Sequence, residues 1–72
     1  MRCFFNIEGD LTILDPTGGE FSSEVAARRA AERHLQHLRR ASPSRRFKIV
    51  VANADGQVLF EVDETGADDG EA

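Results

Sequence analysis

From Glu24 to Arg40 the chain runs without a glycine or proline, and Ala, Arg, Glu and Leu dominate. This is the only stretch with the length and composition of a helix. One amphipathic helix cannot bury its apolar side on itself, so the rest of the chain has to supply a second layer. At about 100° per residue, Phe21, Val25, Ala27, Ala31, Leu35 and Leu38 fall on one broad face. Ser22 or Ser23 is placed to cap the helix, and Glu24 lies in the first turn, where the helix dipole favours an acid. Arg39 and Arg40 occupy the last turn. Pro43 ends the helix by disfavouring the α conformation at Ser42 and lacking an N–H.

The flanking segments read as strands. Arg2 to Glu8 sets Cys3, Phe5 and Ile7 on one face and Phe4, Asn6 and Glu8 on the other. Gly9-Asp10 is a hairpin turn signal that predicts Leu11–Leu14 as the return strand. Asp15-Pro16-Thr17-Gly18-Gly19 is turn chemistry. Beyond the helix, residues 46–53 and 57–63 form a second hairpin around Asn53-Ala54-Asp55-Gly56. Two registers compete there. A two-residue Asp-Gly turn sets Val51 opposite Phe60, Ile49 opposite Val62 and Lys48 opposite Asp63, which sorts apolar from charged residues best and is preferred. It puts Val58 on the helix side and Leu59 on the other. A type I turn with a glycine bulge would instead set Val51 beside Leu59.

The expected fold is therefore α+β, in the order β-β-α-β-β. Four strands form a largely antiparallel sheet with one helix packed on one face, over residues 1–64. Residues 65–72 hold no apolar side chain larger than alanine and are expected to be a disordered acidic tail. With 72 residues there is room for one domain, and a domain this small is marginal, because ordering the chain costs about what apolar burial returns. In the preferred register Val50, Ala52 and Leu59 face away from the helix, together with Phe4. An apolar patch there sets a homodimer, through the sheet face or an edge strand, against a monomer with a mildly apolar face.

The single cysteine excludes an internal disulfide framework. Residues 2–14 are interrupted by Asn6, Glu8, Gly9 and Asp10, unlike a signal peptide, and no apolar run approaches the ~20 residues of a membrane helix. A soluble, cytoplasmic protein is expected, with no membrane partner.

The chain resembles a group of short, uncharacterised alphaproteobacterial proteins known only as a domain of unknown function. The resemblance rests on the aromatic pair Phe4-Phe5, then Asp15, Gly18 and Glu20, then the Ala-rich helix from Val25 to Ala30. It ends in a hairpin with Ile49-Val50-Val51, Gly56 and Leu59, and spans residues 3–62. Members often carry His or a similar polar residue after the aromatic pair, where Asn6 stands here. The resemblance implies the fold and no activity.

Charge is unevenly spread. Residues 1–24 carry one Arg against five acids, residues 25–48 seven Arg and one Lys against Glu32, and residues 49–72 seven acids and no base. Arg29, Arg33, Gln36 and Arg40 form a stripe opposite the apolar face, followed by Arg45 and Arg46. Such a face suits phosphate backbones, although the chain is acidic overall and shows no nucleic-acid motif. Arg28 lies inside the apolar arc and is expected to snorkel or to pair with Glu24 or Glu32. His34 and His37 are three apart on the helix, but zinc needs three or four ligands and Cys3 belongs to a core strand face. Gly18-Gly19 lacks the lysine and spacing of a phosphate loop, and Asp15, Glu20 and Glu24 lack calcium-loop spacing.

No catalytic, metal or cofactor site is expected, and no cofactor. The leading expectation is a non-enzymatic interaction or scaffold protein with an unknown protein partner, self-associating through its sheet. The alternative is a nucleic-acid-binding accessory protein. The residues expected to carry interactions are Phe4, Val50, Leu59, Arg29, Arg33, Arg40, Arg45 and Arg46.

Overall fold

The structure is a computed structural model; it describes residues 1–63 and the backbone of 66–68. The strands are β1 (Arg2–Gly9), β2 (Gly19–Glu20), β3 (Phe47–Asn53), β4 (Val58–Asp63) and β5 (Gly66–Asp68), and the helix α1 spans Glu24–Ala41. The expected order β-β-α-β-β holds, and β5 adds a short fifth strand against β4. Of the tail expected to be disordered, residues 66–68 pair with Glu61–Asp63, and the remainder lies outside the described residues.

The sheet order is β2-β1-β3-β4-β5, antiparallel throughout. β2 and β3 therefore run in the same direction with β1 between them, and α1 makes the crossover. Ser23 is the N-cap, its Oγ accepting the Ala26 N–H at 3.1 Å; the helix ends where the Ser42 N–H donates to the Leu38 carbonyl at 2.9 Å. Replacing Ser23 by alanine leaves that N–H without its partner and should lower stability by about 1 kcal/mol. In a thermal melt this reads as a Tm lower by roughly 4–8 °C; an unchanged Tm would deny the cap any energetic role.

The core lies between α1 and one face of the sheet. Ala27, Ala31 and Leu35 meet Cys3, Ile7, Phe47, Ile49, Val51, Phe60 and Val62, with Phe5, Phe21, Leu38 and Leu59 packed at the margin. Small residues on α1 let the helix approach the sheet closely. Phe5 and Phe21 stack with centroids 5.4 Å apart, closing the end of the core near the helix N-terminus. Val25, expected on the apolar face, lies at its limit and is 57% exposed.

Three expectations need correction. First, Leu11–Leu14 is not a strand. The chain turns at Gly9-Asp10 as expected, but only Ile13 returns to β1, exchanging both backbone hydrogen bonds with Ile7 at 2.8 and 2.9 Å. The strand that pairs with β1 is β2, at Arg2 and Cys3. Pro16 has no N–H to offer a ladder, so the chain leaves the sheet between the two contacts. Asp15 takes over there: its carboxylate accepts the Phe5 N–H at 3.1 Å, and Asn6 Oδ1 accepts the Asp15 N–H at 2.9 Å.

Second, the β3–β4 hairpin combines both candidate registers. Its turn is the glycine-bulge form: the Gly56 N–H donates to the Asn53 carbonyl, Gly56 has φ +86°, and the Asn53 N–H donates to the Gln57 carbonyl. Asn53 Oδ1 accepts the Asp55 and Gln57 N–H groups and braces this turn. A second irregularity follows, because Ala52 pairs with Val58 but Val51 pairs with Phe60. Leu59 is the extra residue, and the core pairs Val51–Phe60 and Ile49–Val62 stand as expected.

Third, that bulge exchanges two side chains. Leu59, expected on the open face, packs against the core margin. Val58, expected inside, lies 57% exposed.

Candidate functional site

The sheet face turned away from α1 is organised in rows by the strand register. Phe4, Ala52 and Val58 lie directly opposite one another across β1, β3 and β4. Asn6, Val50 and Glu61 form the next row, and Glu8 stands opposite Lys48 beyond it. Only Val58 of the apolar set is widely exposed. Val50 and Ala52 are 7% and 8% exposed, shielded by their neighbours, and Phe4 is half-buried beside Gly18. Lys48 Nζ donates to Glu61 Oε1 at 3.2 Å. That hydrogen bond, with the charges of Glu61, Glu8 and Asp63, raises the lysine above its ordinary pKa.

The other surface is the outside of α1. Arg29, Arg33, Gln36 and Arg40 are exposed along the crest opposite the core, as their spacing predicts. At the helix end Pro43 occupies the second position of a turn in which the Arg45 N–H donates to the Ser42 carbonyl at 3.1 Å. This turn brings Arg45 back beside the last helical turn. Gln36, Arg39, Arg40, Pro43 and Arg45 thereby line one open hollow of about 350 Å³. Arg46 is not part of it. Its backbone is tied to Asp10 instead, its N–H donating to Asp10 Oδ2 at 3.0 Å and its carbonyl accepting the Asp10 N–H at 3.1 Å.

Of the eight residues expected to carry interactions, the fold groups Arg29, Arg33, Arg40 and Arg45 on the helix side. Phe4 and Val50 lie on the open sheet face, Leu59 is on neither surface, and Arg46 lies outside the hollow with its backbone bonded to Asp10. Sequence reasoning missed Arg39, placing it only as a dipole-favoured residue of the last turn. Its readable signal was the turn at Pro43, which folds Arg45 onto the same end.

Other candidate residues have structural roles. Arg28 pairs with Glu24 at 3.8 Å and lays its guanidinium over the Phe60 ring, 4.4 Å from the centroid. Glu20 pairs with Arg2 at 3.1 Å, so Asp15, Glu20 and Glu24 are separately engaged. The Gly18 N–H donates to Asp15 Oδ1 at 2.9 Å and Gly19 pairs with Cys3, which leaves no free nest for an anion. Burial pushes the Cys3 thiol above its ordinary pKa, the wrong direction for a nucleophile. Among the described residues no group of three or more His, Cys, Asp or Glu converges as a metal site. None of their helices is long and apolar enough to cross a membrane.

A third surface lies beside β1. Residues of β1, α1 and the loop after Gly9, among them Phe5, Ala30, His34, Ile13 and Leu14, line an open groove of about 460 Å³. Leu11, Ile13 and Leu14 are among the most exposed large apolar residues, so the loop that failed to become a strand carries the widest apolar exposure.

Among the described residues these features define a small two-layer α+β domain, with one helix on one face of an antiparallel sheet and a basic crest on that helix. The chain belongs to the DUF6894 family, a domain of unknown function, whose model matches residues 2–65. Neither the curated proteins nor the solved structures gave a match.

Proposed function

We propose that this domain is a non-enzymatic interaction module that self-associates face to face through the side of its sheet turned away from α1. The observation that carries the reading is the row Phe4–Ala52–Val58, aligned across three strands on the face turned away from α1. A two-fold pairing would lay this row against its own copy, so one patch serves both partners. Edge-to-edge pairing along the β2–β1 edge is disfavoured. β2 has two residues, and β1 between its contacts with Gly19 and Ile13 is closed by the Asp15 carboxylate. A module of this size also gains stability from association that its small core does not supply.

Sedimentation across a concentration series tests this. The native chain should shift from monomer toward dimer in the high micromolar range, while Val58→Asp, altered at an exposed position, should stay monomeric with an unchanged helix signal. A strict monomer in low and moderate salt would end the reading.

Accessory binding of nucleic acid is the second reading, favoured by the exposed crest of Arg29, Arg33 and Arg40 continuing to Arg45. An anisotropy titration with a labelled oligonucleotide at low salt should show binding that weakens steeply as salt is added. No binding at low salt removes it.

A further inference from the structure

We infer that the hollow at the C-terminal end of α1 is a seat for the phosphate groups of a polyanionic chain, with Arg39, Arg40 and Arg45 as its cations. The inference goes beyond sheet association and does not require that the polyanion be nucleic acid.

Three arginines line one concavity with Gln36 and Pro43, and among the described residues no acidic side chain shares the lining. Away from the helix crest the arginines are matched. Arg2 meets Glu20, Arg28 meets Glu24, and the Arg46 backbone is laced to Asp10. Arg39, Arg40 and Arg45 make no ion pair or side-chain hydrogen bond among the described residues. Three like charges held together without an acid repel one another, and an anion between them relieves that repulsion.

The helix end alone would not attract an anion, because its carbonyls carry about half a negative charge. Three full positive charges exceed that, and the last turn is already closed by the Ser42 N–H to the Leu38 carbonyl. Arginine suits the role better than lysine. Its planar fork donates two parallel hydrogen bonds to a phosphate, and its charge persists at any physiological pH. Gln36 adds an amide that donates to a further phosphate oxygen. A chain of phosphates fits better than a single carboxylate, since several negative charges are needed to balance three arginines. The seat opens onto the crest, where Arg33 and Arg29 extend the same positive surface by about 16 Å along the helix from Arg40.

Isotope-labelled protein should be titrated in parallel with sodium tripolyphosphate and with a 20-nucleotide single strand at low salt, following backbone amide shifts. The largest shifts are expected at residues 36–45. The double variant Arg39→Gln/Arg45→Gln should weaken binding about tenfold or more, and the crest variant Arg29→Gln/Arg33→Gln no more than about threefold. All four positions are exposed, and melting curves will show that both variants stay folded. Equal losses from the two variants, or no shift at this corner with either probe, would overturn the seat. An oligonucleotide bound with equal losses keeps the nucleic-acid reading and rejects the seat. Tripolyphosphate bound at the corner without the oligonucleotide keeps the seat and rejects that reading.

Discussion

Asp15→Ala is expected to lower the unfolding free energy by about 3 kcal/mol, a large fraction of the stability of a domain this small. One carboxylate accepts the N–H groups of Phe5 at 3.1 Å, Thr17 at 3.2 Å and Gly18 at 2.9 Å. Alanine would leave the half-buried Phe5 and Gly18 donors without their acceptor and release the loop from the edge of β1. Urea unfolding measures the loss directly. Burial alone would push the Asp15 carboxyl up, but those N–H groups, with His34 nearby, outweigh it and hold the carboxyl below its ordinary pKa. The sign of the pH dependence follows. The stabilisation is fully present above the unfolded-state pKa and is lost as pH falls through the lower folded-state value. Asp15→Asn should therefore differ most from the native chain near neutrality, with the gap closing on acidification below about pH 4. A gap that stays constant down to pH 2 would mean that ionisation at Asp15 contributes nothing.

Gly9→Ala is expected to be of similar size, about 3 kcal/mol or more, from two sources acting together. Gly9 has φ +137°, a conformation that side-chain-bearing residues rarely adopt. A Cβ there would also lie 2.3 Å from the Arg46 carbonyl oxygen, a backbone atom that cannot swing aside. That carbonyl accepts the Asp10 N–H, so relieving the clash would also open the contact joining the β1 turn to the start of β3. Gly56→Ala provides the comparison. Gly56 has φ +86° but no atom within 4 Å of the added Cβ, so it should show the conformational cost alone, about 1 kcal/mol. Equal losses at the two positions would show that the Arg46 contact carries no weight.

The helix, its serine cap (Ser22 or Ser23), its end at Pro43 and the core pairs of the second hairpin were legible because each rests on local chemistry or on strict alternation. The first hairpin was misread for a reason of the same kind. Alternation in Leu11–Leu14 resembles a strand, and only the tertiary fold shows that Asp15 has taken the Phe5 N–H a neighbouring strand would have used. The exchange of Val58 and Leu59 was hidden by the sequence's own consistency. The turn residues favour the glycine-bulge form, the apolar pattern favours the other register, and one extra residue satisfies both. On the candidate surfaces the crest was readable from helical spacing. The hollow was not, because it needs the turn after Pro43 to bring Arg45 beside Arg39.

Leu59 is also the residue whose removal would leave the rest of β4 in place. Without it Val58 would still meet Ala52, Phe60 would still meet Val51, and the ladder would run from the turn without interruption. Away from the bulge, losing one residue of this strand turns every side chain on one side of the gap to the opposite face. The bulge is thus where β4 can shorten by one and keep its register, and a length difference between DUF6894 relatives in this strand should fall there.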